Sequence, residues 1–301
     1  MTERHEVVVV GFGPCGAVAA GLLGGAGFGV LAVDRATEVY DKPRAIALDH
    51  EIMRIFDGMG VADAVLPFTA PFPPSDHFGA DRQPIRHIDM VPEPWPMCFT
   101  PTMVFTQPPV EEALRAHAAS RPGVTVELGT ELVAIEPREG DARLTLRVAD
   151  GGTRQVIAGT VVACDGASSF VRRSLGIRFE DLGFDEPWLV VDLRVTEAGL
   201  ARLPRNAAQF CEPARPVTYI VGPGNHRRFE ILLNPGEDPA AMQRPDAVMR
   251  LLSRWLDPGE AELWRAASYR FHALVAAEWR RGRVFLAGDA AHQQPPFIGQ
   301  G

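Results

Sequence analysis

The chain has 301 residues, 46% of them hydrophobic, enough for one large domain or two ordinary ones around a sizeable core. A formal net charge of −8 without any basic block argues against nucleic acid or an anionic membrane surface as a partner. Cys15, Cys98, Cys164 and Cys211 stand far apart with no metal or redox spacing, so free thiols in a reducing cytoplasm are the simplest reading.

Residues 7–10 are four valines, which reads as a buried strand. Gly11, Gly13 and Gly16 follow at G-x-G-x-x-G spacing within GFGPCG, which also holds Pro14 and Cys15. Small and apolar residues over 17–23 suit a helix packed close to a sheet. A second apolar run over 29–33 ends in Asp34. Strand, glycine turn, helix, strand and acid make a dinucleotide-binding βαβ unit. In it Gly11 allows the turn, Gly13 lets backbone approach a pyrophosphate, and Gly16 lets helix and strand pack closely. The helix N-terminus offers N–H groups and partial positive charge to phosphates, and Asp34 can accept from ribose hydroxyls. The unit alone leaves NAD and FAD open. Residues 7–33 carry no charge, but eight glycines and Pro14 interrupt them and the preceding MTERHE is acidic, so a membrane span or signal peptide is not expected.

A loop then leads through Arg44 to a helix over 51–59 with Ile52, Ile55, Phe56 and Met59 on one face. Arg44 is either solvated or a cation reaching cofactor or substrate. Residues 67–101 are proline-rich and break the βαβ rhythm, as an excursion into a second subdomain would. Gln107 precedes a helix over 110–120, its amide facing a ligand or serving as a cap. Strands are expected over 124–128, 132–137, 144–148, 154–157 and 159–164. The last of these runs into Asp165 and Gly166. From Trp188 onward, short strand-like runs with tight turns suggest an antiparallel sheet, followed by a helix over 245–257 and a strand over 266–275. Arg215, Arg227 and Arg228 are either solvated or available to a substrate carboxylate. A final strand over 284–287 delivers Gly288 and Asp289 to its carboxyl end, where α/β folds bind ligands. Cys15 and Cys164 read as core fillers.

Three separated motifs, GFGPCG with Asp34 and Arg35, CDGASSFVRR, and GRVFLAGDAAHQQPPFIGQG, together resemble the class A flavoprotein aromatic monooxygenases, founded on para-hydroxybenzoate hydroxylase. PRAIALDHEIMRIFDGMG and HRRFEILLNPGE are similar to the 3-(3-hydroxyphenyl)propionate hydroxylase branch. The resemblance implies an α/β fold: an FAD-binding Rossmann-like domain of the glutathione reductase type with a smaller antiparallel-sheet substrate domain. Residues 1–75, 102–180 and 276–301 would form the first, and 76–101 and 181–275 the second. Gly11, Gly13 and Gly16 would take the FAD pyrophosphate and Asp34 the adenosine ribose, with Pro14, Cys15, Arg35 and Gly288 also in the cofactor-binding set. Arg44 and Gln107 would contact FAD, and Val133 would lie near the adenine. Asp165–Gly166 would serve FAD and NADPH (or NADH), unless it is only a turn and helix cap. Asp289 would bind the ribityl chain. Pro295, Pro296, Gly299, Gln300 and Gly301 would line the isoalloxazine. No residue is singled out as the catalyst, and His292 reads as loop-positioning rather than as a general base.

The activity so implied is cytoplasmic, NAD(P)H-consuming hydroxylation of a phenol by O₂ through a flavin 4a-hydroperoxide, with a homodimer left open. A polyketide-tailoring hydroxylase is the nearest alternative. A non-catalytic flavin-fold fragment is another, because the family continues past residue 301 with a long helix over the flavin. On that ground the chain alone is expected to bind FAD poorly and hydroxylate weakly. The W-x-W-x-I-P signature of halogenases is absent.

Overall fold

The computed structural model describes residues 3–296 and residue 299. Its first sheet is built on β1 (Glu3–Val10), whose last four residues are buried valines. β-Branched residues buried on both faces suit a central parallel strand. β2 (Val30–Asp34) and the strand Thr153–Ala163 flank it, both parallel to it. Val124–Leu128 extends the sheet beyond β2, and Val284–Leu286 extends it on the other side. The helix α1 (Pro14–Gly25) crosses from β1 to β2 and packs on the helix Gln107–Ala119. Gly21 faces that helix, where a Cβ would lie 3.5 Å from His117 Cδ2, and Gly24 lets α1 approach the strand Val124–Leu128, since a Cβ there would lie 2.3 Å from Val124 Cγ2. The helix Gln107–Ala119 starts earlier than expected because proline suits a first turn, whose N–H groups need no helical acceptor.

Residues 153–163 form one strand, not the two expected. Its first half pairs antiparallel with Ala142–Arg147, while from Val156 to Ala163 it pairs parallel with β1. Gly159 does not break it. A Cβ there would sit 2.9 Å from the Glu6 carbonyl oxygen, so the glycine permits close approach of β1.

The second sheet has eight strands in the order His292–Gln293, Ala261–Ala276, Phe179–Val195, His226–Leu232, Val217–Val221, Ala207–Phe210, Ser75–Phe78 and Pro84–Ile88. The proline-rich excursion thus supplies one edge. All neighbours are antiparallel except Ser75–Phe78 with Ala207–Phe210. Leu189, Val191 and Leu193 point into a core with Tyr219, Phe229, Ile231, Val248 and Leu252. Two lengths depart from expectation. The strand read from 188 begins at Phe179, with a register shift between Asp181 and Asp185 around Gly183 at φ 82°. The helix read over 245–257 stops at Leu252, its apolar stripe continuing in turns through Trp255 and Leu256. Among the described residues no helix is long and apolar enough to cross a membrane.

Candidate functional site, a cleft at the strand ends

The parallel strands deliver their carboxyl ends side by side. Gly11 N–H donates to Val33 O (2.8 Å), Cys164 N–H to Val10 O (2.7 Å) and Ala287 N–H to Ala163 O (2.9 Å). The glycine loop leaves β1 here. A Cβ on Gly11, at φ 91°, would lie 2.4 Å from Cys164 O, and one on Gly16 would lie 1.9 Å from Gly11 O. Both glycines are therefore demanded by the chain's own packing. Gly13 differs: its backbone is extended (φ −71°, ψ −170°) and a Cβ would meet nothing within 4 Å. The space before it is open, as a ligand approaching the backbone requires. Gly13 caps α1 without a side-chain bond, and Pro14 opens the helix. The N–H groups of Cys15 and Gly16 fall in the first turn, where a helix has no acceptor of its own. This is an anion site in form, and it fits a pyrophosphate.

Asp34 braces that loop. Its Oδ2 accepts from Phe12 N–H (2.7 Å) and its Oδ1 from Ala36 N–H (2.8 Å), which leaves lone pairs free for a hydroxyl. Arg35 beside it is exposed. Val133 is half-buried three residues after Thr130, whose N–H bonds Asp34 O at 2.9 Å. Arg44 is exposed, with Nη2 3.7 Å from Glu111 Oε2 and its guanidinium 5.6 Å from the Tyr40 ring centre. Gln107 is buried, and its amide turns inward. The Oε1 accepts from Arg44 N–H (3.0 Å) and Ala45 N–H (2.7 Å), and Nε2 donates to Glu111 (3.3 Å). It sets the backbone from which Arg44 reaches out.

The loop after Cys164 is held by its own acid. Asp165 accepts from Ser169 Oγ (2.5 Å) and from Val171 N–H (3.0 Å), with Gly166 at φ 79° making the turn. Arg172 then donates to Ala167 O and Ala290 O, and Gln293 Nε2 to Ala167 O at 3.0 Å. These bonds tie the Asp165 loop to the closing stretch. The closing stretch also meets the opening one. Gly288, at φ 58°, lies so close to Cys15 that a Cβ would be 3.1 Å from its Sγ. Asp289 beside it is open to solvent at the cleft mouth. The surrounding protein pushes its carboxyl above the usual carboxylate range, an effect that the charges of His292 and Arg44 partly offset. His292 stacks on Trp279, ring centres 5.7 Å apart, while its backbone pairs with Val275. Pro295 and Pro296 are half-buried, and a Cβ on Gly299 would be 2.9 Å from Ala47 Cβ, three residues beyond Arg44. Gln300 and Gly301 lie outside the described residues.

Other expectations are corrected. Cys15 is not a core filler: it is exposed, and its Sγ lies 3.6 Å from Cys164 Sγ. Arg215, Arg227 and Arg228 are neither solvated nor free for a substrate. Arg215 grips Glu237 through both terminal nitrogens (2.9 and 2.5 Å), and Arg227 donates to the carbonyls of Gly222, Gly224 and His226. Arg228 belongs to a buried cluster that sequence reasoning missed. Asp192 accepts from Arg228 Nε (2.7 Å) and Nη2 (3.1 Å) and bonds His226 Nε2 (2.8 Å), with Arg265 Nη1 3.7 Å away. Arg228 and Arg265 each extend a further N–H to the loop that follows β2, to Arg44 O (2.9 Å) and Pro43 O (2.8 Å). The antiparallel sheet thus holds the Arg44 loop by its backbone. Burial would lift the Asp192 carboxyl, but Arg228 and His226 outweigh it and hold the group low. A single acid inside the apolar run WLVVDLRV was the available signal.

A parallel sheet carrying a glycine loop and an acid at its strand ends, joined to an antiparallel sheet that clamps the adjacent loop, defines a dinucleotide-binding flavoprotein fold. The chain matches the FAD binding domain family over residues 4–301 and belongs to it. It is 36% identical, over 98% of its length and 56% of the relative's, to a probable NADH-specific resorcinol 4-hydroxylase of Rhodococcus jostii. It is equally similar, over 99% of its length and 54% of the relative's, to a 3-(3-hydroxy-phenyl)propionate/3-hydroxycinnamic acid hydroxylase of Burkholderia cenocepacia. The chain therefore spans little more than half the length of these relatives. Among solved structures it resembles p-nitrophenol 4-monooxygenase PnpA from Pseudomonas putida DLL-E4, with a TM-score of 0.86 and 26% identity over 98% of this chain and 75% of that one. It also resembles aklavinone-11 hydroxylase in its ternary complex with FAD and aklavinone, with a TM-score of 0.84 and 25% identity over 99% of this chain and 59% of that one.

Proposed function

We propose that the chain is the cofactor-holding part of a flavin-dependent aromatic monooxygenase that hydroxylates a phenol with NAD(P)H and O₂. The observation that carries this reading is the contact of Gly288 with Cys15, which brings the two distant motifs to one cleft. Residues 1–75, 102–180 and 276–301 then form the FAD-binding part, and 76–101 and 181–275 the part facing the substrate. Gly13 and the N-terminus of α1 receive the pyrophosphate, Asp34 the adenosine ribose near Val133, and Asp289 the ribityl chain. Arg44, presented by Gln107, Arg228 and Arg265, supplies a cation over the same cleft. Pro295, Pro296 and Gly299 flank the ring system.

When bound, FAD accepts a hydride from the nicotinamide and activates O₂ for transfer to an electron-rich ring. The protein's work is to hold, orient and exclude water. The two relatives named for hydroxylating resorcinol and 3-(3-hydroxy-phenyl)propionate support a phenol as substrate. The name of the first also favours NADH as reductant. The likeness to aklavinone-11 hydroxylase supports a second reading, a polycyclic polyketide phenol. The test is an FAD titration followed by oxidation of NADH and NADPH with resorcinol, 3-(3-hydroxyphenyl)propionate and a polycyclic phenol. Saturable but weak flavin binding is expected of the chain alone, with at most weak phenol-stimulated oxidation to a hydroxylated product. Absence of FAD binding would overturn the reading.

A further inference from the structure

Cys15 and Cys164 form the one close thiol pair among the described residues, and nothing in the proposed reaction uses their side chains. Their backbones are fixed independently. Cys15 is the second residue of α1, held by the packing of Gly16 on Gly11, and Cys164 directly follows the strand Thr153–Ala163 with its N–H bonded to Val10 O at 2.7 Å. The two sulfurs lie 3.6 Å apart, so a bond of about 2.05 Å needs a closure of roughly 1.5 Å, within reach of side-chain rotation. Their environments are unequal. Cys15 is exposed on the cleft side, in the first turn of a helix, where N–H groups favour a thiolate. Its thiol is held below the usual range by the contact with Cys164, against burial and the charge of Asp289. That same contact, together with burial, pushes the Cys164 thiol up. One sulfur is thus set to attack and the other to resolve.

We infer that Cys15 and Cys164 are an oxidisable dithiol on the floor of the cleft, closed to an intramolecular disulfide by hydrogen peroxide and shielded when the cleft is filled. The Cys15 thiolate attacks one peroxide oxygen, the O–O bond breaks, and hydroxide leaves as water after taking a proton. Cys15 is then a sulfenic acid. The Cys164 sulfur attacks the Cys15 sulfur, loses its proton and expels the second oxygen as water. Two thiols lose two electrons, and one peroxide becomes two waters. A dithiol reductant reverses the change. The shielding, but not the disulfide itself, rests on the assignment of the cleft to FAD.

The experiment treats the purified chain with hydrogen peroxide, alkylates the remaining thiols and maps the peptides without reduction. A Cys15–Cys164 linkage that dithiothreitol removes is expected, with Cys98 and Cys211, both exposed, still alkylated. Cys164→Ser should leave Cys15 as a sulfenic acid that dimedone traps, and Cys15→Ser should leave Cys164 unreacted. A mapped linkage to Cys98, Cys211 or a second chain, or two intact thiols at positions 15 and 164, would overturn the inference. Preloading with FAD should slow closure by tenfold or more. Equal rates in chain shown by its spectrum to hold flavin would refute the shielding alone, and a chain that holds no flavin would fail the FAD assignment while leaving the disulfide result standing.

Discussion

Gly13 and Gly16 share one loop, yet substitution should separate them. A Cβ on Gly13 enters open space, so Gly13→Val should leave the melting temperature within about 2 °C while FAD affinity falls tenfold or more, because the side chain fills the ligand's approach. A Cβ on Gly16 would strike the Gly11 carbonyl oxygen at 1.9 Å, so Gly16→Ala should unfold the loop and lower stability by about 2–4 kcal/mol in a denaturant titration. The spacing of the motif gives both glycines, but which serves the ligand and which the fold emerges only from the packing around them. Two of the buried acids, Asp192 and Glu230, should differ in pH response. Asp192 is held low, so it adds stability above about pH 4 that is lost as pH falls through its folded value. Asp192→Asn, which leaves Arg228 and Arg265 uncompensated, should cost about 3–5 kcal/mol at neutral pH and little in acid. Glu230 is the reverse: burial pushes its carboxyl up, with Arg228 Nη1 4.0 Å away as an incomplete offset. Its folded-state pKa exceeds the unfolded one, so the fold is favoured below the unfolded value of about 4.3 and loses that contribution as pH rises. Glu230→Gln should raise stability by about 1–2 kcal/mol at pH 8 and change it little at pH 4, as read by urea unfolding at the two pH values.

At the scale of elements, what was legible in sequence was what local chemistry determines. Four valines, a glycine turn and a second apolar run can hardly form anything but β1, α1 and β2; β2 stands within a residue of its expected place, while β1 begins four residues and α1 three residues before the apolar runs that announce them. The strand Phe179–Val195 was legible only in its apolar half. The FEDLGFDEP portion is polar and kinked at Gly183, and it is strand because Ala261–Ala276 pairs with it, a partner far off in sequence. The helix Pro245–Leu252 was overread for the opposite reason. Its apolar period persists to Leu256, while past Leu252 the regular ladder gives way to i→i−3 turn bonds from Ser253 and Trp255 and a single i→i−4 bond from Leu256 N–H to Leu252 O. The Asp192 cluster was illegible because its members come from three separate strands and act on a fourth segment, residues 43–44. Arg228→Met should therefore be felt at a distance. It removes the bond to Arg44 O, loosens the loop and should weaken FAD binding by about tenfold, whereas Arg215→Met, whose partner is Glu237, should not.

For the whole molecule, the architecture is a division of labour between two sheets about the site at the parallel strand ends. The parallel sheet supplies strand ends, the helix N-terminus and the acids, and the antiparallel sheet grips the Arg44 loop through two arginines. Its consequence is that residues far apart in the chain should act on one ligand. FAD titration of the chain, followed by flavin fluorescence and compared with Gly13→Val and Asp289→Asn, tests this most directly. A single site per chain is expected, with both substitutions weakening it by tenfold or more and neither shifting the melting temperature appreciably. An Asp289→Asn chain that bound FAD as tightly as the parent, while Gly13→Val did not, would contradict a shared cleft.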